Sequence, residues 1–82
     1  MQIYLVQAIV RSNHGNVVEV ISPHQFEARD LADAETIADE WATARKIVNV
    51  TDAILRVVRA GMILAERPIG VRAWTRSGGP VK

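Results

Sequence analysis

Apolar and polar positions along this chain alternate in a way that gives one clear helix with strands on both sides. Over residues 2–10 the apolar residues fill both parities: Ile3, Leu5 and Ile9 at odd positions, Tyr4, Val6, Ala8 and Val10 at even ones. A half-exposed strand would alternate, so this pattern predicts a central strand covered on both faces. Residues 11–16 predict a turn, with asparagine and glycine supplying positive φ. Residues 17–21 predict a second strand. Ser22-Pro23 interrupts it, because proline donates no ladder hydrogen bond, and the alternation resumes from Phe26 to Arg29.

Leu31, Ala34, Ile37, Ala38, Trp41, Ala44 and Val48 recur at helical spacing and predict a helix over residues 31–48. Asp30 is its natural N-cap, and Asp33 three residues on completes a variant of the capping box. Arg45-Lys46 near its end suit the macrodipole, and Asn49 is placed to stop it in the left-handed conformation. Residues 53–59 and 62–67 predict a hairpin about Ala60-Gly61, ended by Pro68 and Gly70. Residues 71–75 predict a short fifth strand, and 77–82 a flexible C-terminal tail. The sum is a single α+β domain over residues 1–76: a mostly antiparallel four- or five-stranded sheet, strand–strand–helix–strand–strand, with one helix packed on a face.

That arrangement leaves an imbalance. A helix of about 17 residues is roughly 25 Å long and 10 Å wide, whereas four strands span roughly 19 Å. It covers about half of one face. Yet Ile54 and Val58 carry apolar surface opposite Leu55 and Val57, and Ile63 and Ala65 opposite Met62 and Leu64. An uncovered face forfeits roughly 1.5–3 kcal/mol for each aliphatic side chain left in water. A homodimer is the simplest remedy, sheet against sheet or with exchanged strands. The alternative is that Arg56, Arg59, Arg67 and Tyr4 line the outer face and shield it with their stems.

Composition sharpens this reading. Eighty-two residues with 49% apolar content and no cysteine make a small core that neither disulfide nor thiolate–zinc ligation reinforces. The missing cysteine fits a cytoplasmic location. The apolar N-terminal stretch is too short to span a membrane, carries Gln2 and Gln7, and has no basic residue before it. Ten Lys/Arg against nine Asp/Glu leave a net charge of +1, which is no nucleic-acid signature. The charges are segregated, however. Asp30, Asp33, Glu35, Asp39 and Glu40 crowd the start of the helix, and every charge after Glu66 is positive.

Arg72-Ala73-Trp74-Thr75-Arg76 is the stretch with most binding character, since in a strand Arg72, Trp74 and Arg76 share one face. Together with Arg59 and Arg67 they form the candidate surface for a protein partner or for nucleic acid, whose bases would stack on Trp74. The competing reading packs Trp74 into the domain and leaves the arginines solvated. His14 and His24 belong to no metal pattern and are read as surface residues. Glu35 and Asp39 share a helix face read as solvated, and Trp41 is read as core. No phosphate loop and no nucleophile elbow is present. No catalytic, metal or cofactor site is therefore expected.

Met1-Gln2-Ile3-Tyr4 and Arg76-Ser77-Gly78-Gly79 resemble the start and the arginine–diglycine tail of ubiquitin-like β-grasp proteins. The resemblance implies a tail whose second glycine, Gly79, is activated and joined to a target amine, after removal of Pro80-Val81-Lys82. The chain departs from that pattern in its longer helix and interrupted second strand. The reading that follows from the residues is a non-enzymatic protein–protein interaction module that forms a homodimer, recruiting any further partner through its C-terminal segment or an open sheet edge. The alternatives are a nucleic-acid binder using Arg59, Arg67, Arg72, Trp74 and Arg76, and the ubiquitin-like protein. A membrane partner is not expected.

Overall fold

The computed structural model describes residues 1–12 and 14–80, the last four as backbone. Strand β1 (Gln2–Arg11) lies inside the sheet, as its double apolar parity requires. Strands β2 (Val17–Glu19) and β3 (His24–Ala28) both pair antiparallel with one of its edges. The interrupted second strand is thus two strands that share one edge of β1. Ile9 pairs with Glu19 and Val6 with His24, so four residues, Val20 to Pro23, stand opposite two, Gln7 and Ala8. Pro23 cannot donate to the ladder, and the surplus bulges out.

Helix α1 (Leu31–Ala44) starts as the sequence predicts. The Asp33 N–H donates to Asp30 Oδ1 at 2.8 Å, and Asp33 Oδ2 accepts from the Arg29 N–H at 3.1 Å. It ends four residues short of the predicted Val48. Lys46, not Asn49, takes the left-handed conformation (φ 59°), and Ile47–Asn49 form a 3₁₀ turn. Core packing decides this: the break buries Ile47 among Ala8, Ala42, Ala53 and Leu55, and leaves Val48 45% exposed. The buried stripe of the helix is alanine at four-residue spacing, Ala34, Ala38 and Ala42, which lets the backbone lie close to the sheet.

Strands β4 (Ile54–Arg59) and β5 (Met62–Pro68) form the predicted hairpin. Ala60 and Gly61 both have positive φ, 52° and 76°, as a two-residue turn matched to strand twist requires. Strand β6 (Thr75–Pro80) pairs with β5. The fifth strand expected over 71–75 therefore lies further on. Of the expected tail, residues 77–80 belong to β6 and residues 81–82 fall outside the described residues. Glycine has low strand propensity, but the free edge of β5 supplies the ladder that local propensity does not.

The order is β2/β3-β1-β4-β5-β6, all neighbours antiparallel. Both β3 and β4 run opposite to β1, so α1 is the crossover between two strands of like direction. The helix covers one face, where Tyr4, Val6, Ala8, Leu55, Val57 and Ala65 meet its alanines. The fold is thus α+β, one helix on an antiparallel sheet. The Cα radius of gyration is 11.7 Å, about that of a compact domain this size.

Candidate functional site

The basic cluster picked from the sequence divides in space. Arg67, Trp74 and Arg76 gather beside α1, whereas Arg59 sits at the far end of β4. The pairing of Arg67 with Leu55 puts Arg59 four residues, roughly 13 Å, further along the strand. There its guanidinium lies 6.0 Å from the Tyr4 ring centroid. Arg72 is exposed in the connection between β5 and β6.

Two helix acids read as solvated meet these cations. Arg67 donates to Asp39 Oδ1 through Nε at 3.0 Å, and its Nη2 lies 2.8 Å from the same oxygen. Its Nη1 donates to the carbonyls of Val71 at 2.8 Å and Ile69 at 3.4 Å. The Trp74 indole N–H donates to Asp39 Oδ2 at 3.3 Å, and the Arg67 guanidinium lies 5.6 Å from the Trp74 ring. Arg76 grips Glu35 with two bonds of 3.2 Å, and this carboxylate raises the Arg76 pKa above its ordinary value. The arrangement is a clasp that fastens the β5–β6 connection and β6 to α1. It spends on carboxylates the charge that a phosphate would need.

The face of the sheet turned away from α1 is laid out differently. It carries Ile3, Leu5, Gln7 and Ile9 from β1, Ile54, Arg56 and Val58 from β4, and Ile63 and Glu66 from β5. A register shift opposite Val57 and Val58 sets Leu64 as the extra residue, so Ile63 and Ala65 face opposite ways despite equal parity. Ile9 is 1% exposed, and Val58 and Ile63 are also buried, without belonging to the helix-side clusters. They are sheltered by cross-strand neighbours: Ile54 and Glu19 flank Ile9, and Leu5 and Ile63 flank Val58. Of the side chains expected to shield this face, only Arg56 does so. Tyr4, Arg59 and Arg67 lie on the helix side.

Arg56, 4% exposed, stands between Gln7 and Glu66. Its Nε lies 3.7 Å from Glu66 Oε2, within ion-pair reach but beyond a hydrogen bond. Among the described residues, Arg56 Nε and Gln7 Oε1 are buried without a hydrogen-bond partner. Toward the hairpin the face opens. Ile3 is 54% exposed beside a recess of about 200 Å³ walled by Leu5, Val58, Gln25 and the Arg59–Gly61 turn.

A larger cleft, about 520 Å³, lies on the helix side where the β2–β3 bulge stands away from α1. His24 and Trp41 line it with planes 7° apart and centroids 6.3 Å apart, and Arg45 and Ser22 supply polar groups. His24 continues a row of rings through Phe26 to Tyr4. The sequence reading put His24 at the surface and Trp41 in the core; His24 is exposed and Trp41 packs against both helix-side clusters, and what that reading missed is that the two rings meet. The available signal was the i,i+4 placement of Trp41 and Arg45 on one helix face, together with a proline beside a histidine in an interrupted strand. Among the described residues no group of His, Asp and Glu is arranged to hold a metal ion, and no helix is long and apolar enough to cross a membrane.

No protein-family model matches the chain, and neither the curated proteins nor the solved structures contain a match to it.

Proposed function

We propose that the protein is a non-enzymatic interaction module that self-associates through the open face of its sheet. The observation that carries this reading is the exposed apolar rim of that face: Ile3 more than half in water beside the Leu5–Val58 recess. A second copy is the occupant best matched to it. A two-fold interface sets a patch against itself, so a face of one sign repels its own copy. This one holds Arg56 and Glu66 as a neutral pair at its middle, with apolar residues on either side.

The face measures roughly 20 by 24 Å, some 500 Å² in projection. That sits at the low end of specific interfaces. The dimer is therefore expected at micromolar concentrations and above. The test is molar mass against concentration by sedimentation equilibrium. The weight-average mass should climb from 9.0 kDa toward twice that value. Ile3→Asp should hold it at the monomer, with a melting temperature close to that of the parent when both are measured at concentrations too low for dimerisation. A monomer at every concentration, or a dimer indifferent to Ile3→Asp, defeats the proposal.

A further inference from the structure

The cleft between the β2–β3 bulge and the end of α1 gathers aromatic and cationic side chains, including Trp41, one edge of which packs against both helix-side core clusters. It exists because the chain carries two residues more than β1 can pair, and Pro23 keeps the surplus from rejoining the ladder. Bulges of this kind re-aim side chains, and this one presents His24 to Trp41 across the cleft, their planes 7° apart. A flat ring entering in that orientation meets the π-faces or edges of both.

Charge points the same way. The lining residues are Ile21, Ser22, Pro23, His24, Trp41 and Arg45, with no carboxylate among them. Arg45 differs from the other arginines near α1. Arg67 and Arg76 are held by Asp39 and Glu35 and Arg29 by Asp33, whereas Arg45 makes no ion pair among the described residues. The Trp41 indole N–H and the Ser22 hydroxyl likewise make no hydrogen bond there. The cleft thus combines aromatic surface with free donors and one fixed positive charge. Its volume is within the range of small-molecule sites, roughly 300–1,000 Å³.

We infer that this cleft binds a small planar aromatic anion of mononucleotide size, with its ring against His24 and Trp41 and its anionic group on Arg45. An arginine fork takes a phosphate or carboxylate through two parallel bonds, which a ring alone cannot replace.

The test is a titration of the ¹⁵N-labelled full chain with adenosine monophosphate, adenosine and inorganic phosphate in turn. The monophosphate should move the Trp41 indole signal, assigned by Trp41→Phe, together with the amides of Ser22, His24 and Arg45. Saturation should come at or below about 1 mM. Adenosine should move the same signals at higher concentration, and phosphate should leave them in place. Arg45→Ala should weaken the monophosphate by about fivefold or more while leaving adenosine nearly unchanged. Arg45→Lys should recover part of the loss, and both variants should keep the wild-type spectrum elsewhere. No movement at 10 mM (about ten times the expected saturation), movement confined to Arg72, Arg76 or the open face, or equal loss for both ligands in Arg45→Ala overturns the inference. Because the readout is the cleft and not molar mass, its failure leaves the self-association proposal standing, and the reverse also holds.

Discussion

Leu55 and Arg56 are neighbours on β4, both almost wholly buried, and they are buried for opposite reasons. Leu55 points at α1 and is enclosed by Ala8, Ala42, Ile47 and Ala53, so its burial comes from a second layer. Arg56 points away from the helix, and its burial comes from neighbours in the same layer, Gln7 and Glu66 across the ladder. The first environment is dry and apolar, and a hydrocarbon side chain gains there by leaving water. The second shelters a charge with an imperfect partner at 3.7 Å, and desolvation offsets much of what the ion pair contributes. One sheet thus has a face buried against a second layer and a face where a charge and aliphatic side chains such as Ile9 and Val58 are sheltered within the sheet itself.

Truncation separates the two. Leu55→Ala should cost about 3 kcal/mol, because the alanine stripe of α1 has no longer side chain to collapse into the cavity. For a domain this small that lowers the melting temperature by roughly 12–24 °C, read by calorimetry or circular dichroism. A loss under about 1 kcal/mol would mean that the helix is loosely docked. Arg67→Ala comes next, at about 2 kcal/mol. It strips the donor from Val71 and Ile69 and leaves Asp39 with Trp74 alone. Removing one partner of a fully buried pair costs about 3–5 kcal/mol. The Asp39 side chain, however, is 43% exposed against 10% for Arg67, so water takes over part of the carboxylate and the figure is discounted.

The helix face was legible in the sequence and the open face only partly so. Period and capping residues locate the start of α1 at Asp30 and its stripe through Ala38, because those signals are local. The end of α1 was not legible. Val48 continues the period, but Ile47 is the residue the core takes, and only the finished sheet makes that choice. Strand parity failed in the same way at Leu64, where one extra residue turns Ile63 and Ala65 to opposite faces. The apolar excess was read correctly as a number of residues. It was misjudged as exposed surface, since cross-strand neighbours shelter Ile9, Val58 and Ile63 within one chain. As for the candidate residues, the sequence pointed to Arg59, Arg67, Arg72, Trp74 and Arg76, and the fold brings together Arg67, Trp74 and Arg76 but not Arg59 or Arg72. The acids that hold them, Glu35 and Asp39, lie 41 and 28 residues away from Arg76 and Arg67 along the chain, beyond any local pattern.

Arg56→Met inverts the usual expectation for a buried residue. Methionine keeps the unbranched stem that covers the open face and removes the orphaned Nε. Glu66, half-buried, is left near enough to water to be hydrated. The urea midpoint should stay within about 1 kcal/mol of the parent, on the stabilising side if desolvation dominates. A loss of 3 kcal/mol or more, comparable to a broken buried pair, would show that the charge pair is integral to the sheet and that its two faces do not differ as argued.

Ile3→Asp should have the smallest effect on folding and the most informative consequence. The side chain already stands more than half in water, so a polar replacement should alter monomer stability by no more than about 0.5 kcal/mol. In a two-fold complex the same replacement occurs twice. Losing one aliphatic contact of about 1.5 kcal/mol per copy weakens dimerisation by about 3 kcal/mol, a factor of more than 100 in the dissociation constant. A residue that matters a hundredfold to association and almost nothing to folding belongs to a surface, whereas one that unfolds the monomer belongs to a core. The ratio of the two effects at Ile3, set beside that at Leu55, decides whether the open face is a second core shared between copies or a solvated back to the first.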